Sequence, residues 1–214
     1  MVIDLSKQDS VLNRFLAEMR DQNIQKDSMR FRTNLERTGE IFAYEVSKTL
    51  KYESTQVQTP LGIADINLHK DRIVLATILR AGLSLHRGML NYFDNAENAF
   101  ISVYRKYDKN NEMSLHIEHI SSPIIDKKVL IICDPTLATG NCMLLIYHAL
   151  LKKGQPLHTH IIAPIASRDG VDYLVKNMEN TTLWVGAIDE ELTNKSYIVP
   201  GIGDAGDLAY GTKF

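Results

Sequence analysis

The chain has 214 residues, of which 44% are hydrophobic and 23% are charged, a composition typical of a globular protein long enough to bury a full core. Its formal net charge of −2 gives no electrostatic reason to bind nucleic acid or an anionic membrane, so we expect neither partner. No stretch approaches membrane-spanning length, and residues 1–20 lack the apolar core of a signal peptide, so we expect a cytoplasmic protein.

Hydrophobic periodicity predicts a regular alternation of helices and strands over most of the chain. Two amphipathic helices come first, over residues 9–19 and 31–50. Strands and helices then alternate: the predicted strands are 73–79, 99–104, 129–133, 159–165 and 182–187, and the predicted helices are 83–92, one that ends before Gly154, and 169–178. Such an alternation predicts an α/β fold with a parallel sheet and helices on both faces.

One pair of segments departs from this alternation and predicts a β-hairpin. Residues 108–111 have the composition of a turn, and residues 113–120 alternate apolar and polar side chains. Together with the strand before them, they make 99–120 a long hairpin arm, which suggests a contact between subunits.

The segment from Val129 to Cys142 is the most informative part of the sequence. A continuous apolar run predicts a buried strand, and it is followed by Asp134, by a loop of small residues and by a helix. Backbone N–H groups of 138–140, with the start of the helix, favour a phosphate dianion. The Asp134 carboxylate would repel that phosphate but can accept hydrogen bonds from sugar hydroxyls, so phosphate and ribose would belong to one ligand.

This segment has two other interpretations. No Gly-Lys-Ser/Thr follows the loop, so it is not the phosphate loop of a nucleotide triphosphatase. Ordinary turn chemistry between a strand and a helix remains the alternative at this point.

Two arginines follow other predicted strands, Arg80 in Arg80-Ala81-Gly82 and Arg105 in Arg105-Lys106. Ligands of parallel sheets bind at the carboxyl ends of the strands, and the guanidinium fork binds anionic oxygens in a bidentate manner. A lone arginine after a strand is usually a surface cation. Three polar groups at one sheet edge, Asp134 included, instead predict a polyphosphate site.

The segment from Tyr197 to Asp207 contains three glycines, a proline and two aspartates. Its glycines satisfy the G-x-G-x-x-G pattern, but too few residues remain for the crossover helix and second strand of a dinucleotide fold. We therefore predict a rigid loop whose backbone donors and acceptors suit a flat heterocycle. A disordered glycine-rich tail is the alternative.

No metal site held by protein ligands alone is predicted. Cys133 and Cys142 lie nine residues apart, which fits neither a redox pair nor a metal-ligand pattern, and packing roles are expected for both. The histidines show no metal-ligand spacing.

Together these segments resemble the uracil phosphoribosyltransferase family. The resemblance is carried by ILRAG at 78–82, VYR at 103–105, DPTLATG at 134–140 and YIVPGIGDAGD at 197–207 with GTK at 211–213, and more weakly by MRDQ at 19–22, RFR at 30–32 and YE at 44–45. The chain departs from the family where Asn141 and Cys142 replace its usual Gly-Ser.

The resemblance implies a phosphoribosyltransferase-type parallel sheet flanked by helices, with a β-hairpin arm and a hood formed by the N- and C-terminal segments. A single domain is expected, divided into hood helices over 1–70, a core sheet over 71–187 and a uracil-binding loop over 188–214. It also implies a homodimer or higher homo-oligomer.

The implied reaction joins uracil to 5-phosphoribosyl 1-diphosphate and gives UMP and diphosphate, with Mg²⁺ carried by the diphosphate substrate. Arg80 and Arg105 would bind the diphosphate, and Asp134 and Asp204 would suit the cationic ribose; no general base is assigned. The 5-phosphate and ribose would contact Asp134, Pro135, Thr136, Leu137, Ala138, Thr139, Gly140, Asn141 and Cys142. Backbone groups of Ile198, Gly203, Asp204 and Ala205 would recognise uracil.

Three rival functions remain open at this stage. A purine phosphoribosyltransferase would be expected to have a second acidic residue where Pro135 stands. An RNA-binding regulator with a related fold would need a basic face. A paralogue that binds nucleotides but turns over slowly is suggested by Asn141 and Cys142.

Overall fold

The computed structural model describes residues 1–107 and 113–212, with side chains omitted at 105–107, 113 and 114. The helices are α1 Val11–Arg20, α2 Ser28–Ser47, α3 Leu83–Leu90, α4 Asn141–Leu151, α5 Arg168–Asn177 and α6 Ala205–Tyr210. The strands are β1 Val2–Asp4, β2 Tyr52–Thr59, β3 Gly62–His69, β4 Ile73–Leu79, β5 Glu97–Tyr107, β6 Met113–Ser121, β7 Val129–Cys133, β8 Thr136–Leu137, β9 His158–Ser167, β10 Thr181–Asp189, β11 Glu191–Leu192 and β12 Ile198–Val199. The turn predicted at 108–111 lies outside the described residues.

The central sheet has the strand order β1-β10-β9-β7-β4-β5-β6, and β8 adds to the end of β9. Its neighbouring strands are parallel except for the antiparallel pair β5 and β6. The predicted α/β fold with a parallel sheet is therefore confirmed. The bounds of β4 and β7 agree with the prediction, because their uninterrupted apolar runs are buried on both faces.

Alternate side chains of the central strands enter two separate hydrophobic clusters. From β4, Val74 and Ala76 pack with residues of α4 and α5, whereas Ile73 and Leu75 pack with residues of α2 and α3. This alternation follows from the two-residue period of a strand. Helices therefore cover both faces, as expected for a sheet built by crossover connections.

A third cluster joins the two ends of the chain, and we call it the hood cluster. Its buried members are Leu12, Leu16, Met19, Phe31, Leu35, Ile165, Ile198, Ile202, Ala205 and Ala209. They come from α1, the first half of α2, β9 and the C-terminal segment, so the expected hood of N- and C-terminal segments is present. The hood cluster fixes where the C-terminal segment lies relative to the sheet.

The first two predicted helices are present with shifted bounds. Helix α2 begins at Ser28 rather than at residue 31, because the Asp27 side chain accepts the Arg30 N–H at 3.1 Å and caps the helix. It ends at Ser47, three residues before the predicted end.

The predicted hairpin arm over 99–120 is only partly separate from the sheet. Strand β5 pairs with β4 from Glu97 to Ser102, and an irregularity follows between Ser102 and Val103. Beyond that point the described part of β5 pairs with β6 alone. Both strands were predicted, and both belong to the central sheet, because the first half of β5 also pairs with β4.

A second hairpin, β2 and β3, was missed by the sequence analysis. Val57, Ala64, Ile66 and Leu68 share one face of it, and Ile66 and Leu68 are 44% and 48% exposed.

None of the helices in the described part of the chain is long and apolar enough to cross a membrane.

Candidate active site

The carboxyl ends of four neighbouring strands bring the predicted polar residues to one edge of the sheet. Thr77 of β4 is in register with Cys133 of β7, and Ser167 of β9 with Asp189 of β10. Arg80 and Asp134 follow the first two strands directly, so they begin adjacent loops. This is the edge at which ligands of parallel sheets bind.

The loop after β7 is anchored by backbone pairing with β9. Residues Thr136 and Leu137 form β8 and pair in parallel with Ile165 and Ala166, whereas the sequence predicted an irregular loop here. The Ala138 carbonyl then accepts a hydrogen bond from the Ser167 hydroxyl at 2.5 Å. The same hydroxyl accepts the Gly170 N–H at 2.9 Å and so caps α5. The loop position is thus determined mainly by the sheet.

Gly140 has a backbone conformation that an L side chain rarely adopts. It is the N-cap of α4 with φ = 79°, and an added Cβ would lie 2.8 Å from Cδ1 of Tyr173. The helix begins at Asn141, where Gly140 offers no side-chain cap and the Asn141 N–H makes only a long hydrogen bond, 3.5 Å, to the Thr139 hydroxyl, so the first backbone N–H groups of α4 point out of the helix end. Such a helix start favours an anion.

Asp134 is a partly buried carboxyl with no cation paired to it in the described part of the chain. Burial raises the pKa of Asp134 to about 7, and a long hydrogen bond from the Thr136 N–H, at 3.5 Å, offsets this only in part. Next to it, Cys133 is fully buried, and burial raises the pKa of its thiol. Cys133 therefore packs in the core, as predicted.

The loop after β4 approaches the end of β7 closely at Gly82. A Cβ there would lie 2.3 Å from Oγ1 of Thr77 and 3.0 Å from the carbonyl oxygen of Cys133. The peptide bond between Leu79 and Arg80 is cis. The absence of a side chain at Gly82 lets the turn that carries Arg80 lie beside the strand that carries Asp134.

The guanidinium group of Arg80 contacts the C-terminal segment. Its Nη2 donates to Oδ1 of Asp207 at 3.0 Å and to the carbonyl oxygen of Gly211 at 2.9 Å. The Ser84 hydroxyl, one helical turn later, lies 2.7 Å from the Tyr210 hydroxyl. These contacts join the Arg80 loop to the last described residues of the chain; Lys213 lies outside them.

The C-terminal segment is more regular than the rigid loop predicted from sequence. Ile198 and Val199 form β12, which pairs with β11, and residues 205–210 form α6. Asp204 caps this helix, since its Oδ1 accepts the Asp207 N–H at 3.0 Å. Helix α6 was not predicted because the segment is rich in glycine, although its N-cap residue, Asp204, is a typical capping residue.

The C-terminal segment and the loop after β7 lie on the same side of the sheet. Ala81, beside Arg80, and Ala138, beside Thr139, both pack against the hood cluster, which contains Ile202 and Ala205. Helix α6 is also tied to α2, because Nη1 of Arg32 donates to the Ala209 carbonyl at 2.6 Å. The three predicted parts of the site therefore converge.

Arg105 is less completely described than the other predicted residues. Its backbone lies in β5 and pairs with Leu115, three residues beyond the last pairing with β4. Its side chain lies outside the described part of the chain.

Two residues at this edge were missed by the sequence analysis. Asp189 ends β10, and its buried carboxylate pairs with Arg20 at the end of α1. The strand-end rule that selected Asp134 would have selected Asp189 as well, but the predicted strand ended two residues too early, at 187. Arg20 belongs to the MRDQ segment at 19–22, which resembles the family weakly, and the sequence analysis gave it no role.

The carboxylates at this edge suit magnesium only in combination with a substrate. Among the described residues no group of three His, Cys, Asp or Glu side chains could hold a metal ion. Mg²⁺ is commonly bound by one or two carboxylates together with substrate phosphates and water. Asp134 and Asp204 are carboxylates of this kind, so the residues fit an ion that arrives with a phosphate substrate.

Comparison of the sequence with known families identifies one that covers nearly the whole chain. A family model described as uracil phosphoribosyltransferase matches residues 6–212. A uracil phosphoribosyltransferase of Porphyromonas gingivalis is 57% identical over 213 residues, 99% of each chain. Another, from Methanothermobacter thermautotrophicus, is 40% identical over 187 residues, 86% of this chain and 85% of the relative.

Solved structures agree on the fold. The AQ2163 protein from Aquifex aeolicus superposes with a TM-score of 0.88 and 30% identity, over 100% of this chain and 99% of that one. A hypoxanthine phosphoribosyltransferase from Staphylococcus aureus reaches a TM-score of 0.50 at 13% identity, over 75% and 76% of the two chains, which supports the fold alone. Since the family match spans nearly the full length and two relatives exceed 30% identity, the chain belongs to the uracil phosphoribosyltransferase family of pentosyl-transferring enzymes.

Proposed function

We propose that the protein performs the reaction of its family at the sheet edge that carries Arg80 and Asp134. It transfers the 5-phosphoribosyl group of 5-phosphoribosyl 1-diphosphate to uracil and forms UMP and diphosphate, a step of pyrimidine salvage. The observation that carries the location is the contact of Arg80 with Asp207 and Gly211. This contact joins a cation at a strand end to the segment proposed to recognise the base.

The segment from Asp134 to Cys142 would hold the phosphoribosyl group. The 5-phosphate would accept hydrogen bonds from the N–H groups of Ala138, Thr139 and Gly140 and of the first turn of α4. These are backbone groups, so replacement of the usual Gly-Ser by Asn141 and Cys142 leaves most donors in place. The Asp134 carboxylate would accept hydrogen bonds from ribose hydroxyls.

Arg80 and Arg105 would bind the diphosphate. The contacts of Arg80 with the C-terminal segment use Nη2 and, at 3.5 Å to the Tyr210 carbonyl, Nη1. No described residue accepts a hydrogen bond from its Nε. That edge of the guanidinium group can therefore bind a phosphate oxygen while Nη2 remains hydrogen-bonded to Asp207 and Gly211. Arg105 would reach the same group from the strand next to β4.

Uracil would be recognised by the backbone of Ile198, Gly203, Asp204 and Ala205. Uracil presents two carbonyl acceptors and an N–H donor besides its reacting N1, and a backbone that pairs with all three leaves buried groups unmatched when cytosine enters. The rigidity this requires is supported by the burial of Ile202 and Ala205 in the hood cluster, at 2% and 4% exposure.

Catalysis would then be electrostatic and positional. The bond between ribose C1 and the diphosphate oxygen breaks, N1 of uracil forms the new bond to C1, and the N1 proton is released. Arg80 and Arg105 stabilise negative charge on the departing diphosphate, and the carboxylates of Asp134 and Asp204 stabilise positive charge on the ribose. Mg²⁺, held by diphosphate oxygens and water with Asp134 or Asp204 nearby, would add charge stabilisation at the leaving group.

An assay with purified protein tests this function. Uracil, 5-phosphoribosyl 1-diphosphate and Mg²⁺ are mixed, and diphosphate and UMP are measured. We expect both products with uracil and a rate lower by about ten-thousandfold with cytosine, because the backbone groups are then mismatched. Hypoxanthine in a parallel reaction tests the purine alternative. Failure to release diphosphate with uracil would reject the proposed activity.

We also propose that the protein forms at least a homodimer. The free hairpin of β2 and β3 supports this, because an isolated two-stranded hairpin is marginally stable and Ile66 and Leu68 expose an apolar face. Light scattering should give a multiple of the 24.2 kDa chain mass, and a monomer would contradict the proposal.

The cytosol is the proposed site of action, since a highly charged diphosphate substrate does not cross an apolar bilayer unaided.

A further inference from the structure

Asp189 is a nearly buried carboxylate whose charge is matched by a single guanidinium group. Only 8% of it is exposed, and its two oxygens accept hydrogen bonds from Nη1 and Nη2 of Arg20, each at 2.8 Å. Bidentate pairs of this kind have a defined geometry, whereas a buried carboxylate without a partner is strongly destabilising. The pair therefore holds both side chains in one arrangement.

The same pair holds both polar backbone groups of Gly201. The Gly201 N–H donates to Oδ2 of Asp189 at 2.9 Å, and its carbonyl oxygen accepts from Nη1 of Arg20 at 3.0 Å. Gly201 has φ = 57°, and an added Cβ would lie 2.2 Å from the Ile198 carbonyl oxygen. The chain between Ile198 and Gly203 is thus held at its centre by a charged pair from two distant elements.

Arg20 is itself anchored at the end of α1. The Gln25 side-chain amide donates to the carbonyl oxygens of Met19 and Arg20, at 3.1 and 3.2 Å. Met19 is fully buried in the hood cluster. The guanidinium group therefore projects from a fixed backbone, and it positions Gly201 directly through one hydrogen bond and indirectly through Asp189.

We infer that Arg20 and Asp189 are positioning residues for uracil recognition, an inference that rests on the proposed function. They touch no part of the proposed substrate sites, but they hold Gly201 between the backbone groups of Ile198 and Gly203 that would recognise the base. Recognition by backbone groups tolerates little displacement, because each donor and acceptor must meet its partner on a rigid ring. The pair would therefore set affinity for the base without changing affinity for the phosphoribosyl group.

The test compares Arg20→Lys with the matched control Arg30→Ala. Lysine keeps the charge but cannot make the forked contact with Asp189 and also reach Gly201. Arg30 makes a second bidentate pair, with Glu18 at 3.0 and 3.2 Å, which joins α1 to α2, and no hydrogen bond links it to the described residues of the C-terminal segment. Asp189→Asn is the second variant, because it retains an acceptor for the Gly201 N–H.

Two measurements separate positioning from general damage. In steady-state kinetics we expect the KM for uracil to rise about tenfold in Arg20→Lys, as for loss of hydrogen bonds to a charged group, while the KM for 5-phosphoribosyl 1-diphosphate stays within about twofold. By calorimetry, UMP should bind about tenfold more weakly, whereas ribose 5-phosphate, which lacks the base, should bind unchanged. Arg30→Ala should change none of these values.

The outcomes distinguish this inference from the proposed function. A uracil KM and a UMP affinity that stay unchanged in folded Arg20→Lys and Asp189→Asn would overturn it. Equal weakening of UMP and ribose 5-phosphate would also overturn it, because that is the result of a purely structural role. If the unaltered protein bound UMP but released no diphosphate, the proposed activity would fail, and the binding comparison would still decide the role of Arg20.

Discussion

Two segments at the same edge of the sheet, the loop from Asp134 to Gly140 and the stretch from Ile198 to Ala205, are held by different forces. The first is held mostly by backbone pairing: β8 pairs with β9, and α4 follows directly. The second is held largely by side chains from distant parts of the sequence, namely Arg20 and Asp189. A phosphate site can thus be built locally, whereas the proposed base site needs both ends of the chain.

The two strand-end aspartates show the same difference. Asp189 has a bidentate arginine partner, while Asp134 has no paired cation among the described residues, and burial raises its pKa to about 7. An uncompensated carboxyl reduces stability when ionised, and such sites are often functional. Asp134 is therefore the carboxyl that a ribose or a magnesium-bound diphosphate would be expected to meet.

The largest expected effect is that of Arg80→Ala, which removes the contacts of the turn after β4 with Asp207 and Gly211. We expect kcat to fall about a hundredfold to a thousandfold, the usual cost of removing one donor to a charge that develops in the transition state. Arg87→Ala is the matched control, because Arg87 lies on the helix that follows and pairs with Glu36 at the surface. Unchanged turnover in a folded Arg80→Ala variant would remove its proposed diphosphate role.

Gly140→Ala tests the locally built loop. Because Gly140 has φ = 79° and its Cβ would meet Tyr173, we expect a loss of about 2 kcal/mol in the free energy of unfolding. The KM for 5-phosphoribosyl 1-diphosphate should rise while the KM for uracil changes little. Urea unfolding measures the first effect. Gly62→Ala is the control, since a Cβ there has no neighbour within 4 Å; equal stability of the two variants would contradict the argument.

Asp134→Asn tests the uncompensated carboxyl and should have the smallest effect on the free energy of unfolding. The pKa in the folded protein is raised from 3.8 to about 7, so the folded state binds the proton more tightly than the unfolded state. This contribution to stability is present below about pH 4 and is lost as the pH rises to about 7. At pH 8, without magnesium or substrate, the variant should be about 1 kcal/mol more stable than the unaltered protein, because it carries no charge at this site. The gain is small because solvent reaches part of the Asp134 side chain and screens its charge.

At pH 4 the difference between Asp134→Asn and the unaltered protein should vanish. Asp94→Asn replaces a carboxylate that is exposed to solvent and serves as the control for the substitution itself. A difference that is the same at pH 4 and pH 8 would show that burial of the Asp134 charge does not govern its effect on stability.

Sequence patterns predicted the elements whose signals are local. Strands β4 and β7 were predicted with the observed bounds, because a short continuous apolar run flanked by polar loops is typical of a buried strand. The hairpin of β2 and β3 was missed because β2 is almost entirely polar, so apolar and polar residues alternate in β3 alone, and both strands lie largely in solvent. Helix α6 was missed because its glycine-rich surroundings outweighed the capping signal of Asp204.

The amino-acid sequence alone determined the parallel sheet, the phosphate-type loop and, by resemblance, the family, because each depends on residues that are close together in the chain. Only the tertiary structure decided that Arg80 meets Asp207, that Arg20 meets Asp189, and that Ala81 and Ala138 lie against the same cluster as Ile202. The two ion pairs join residues more than a hundred positions apart, and all of these contacts depend on the burial of the hood cluster, which fixes how the two ends of the chain pack.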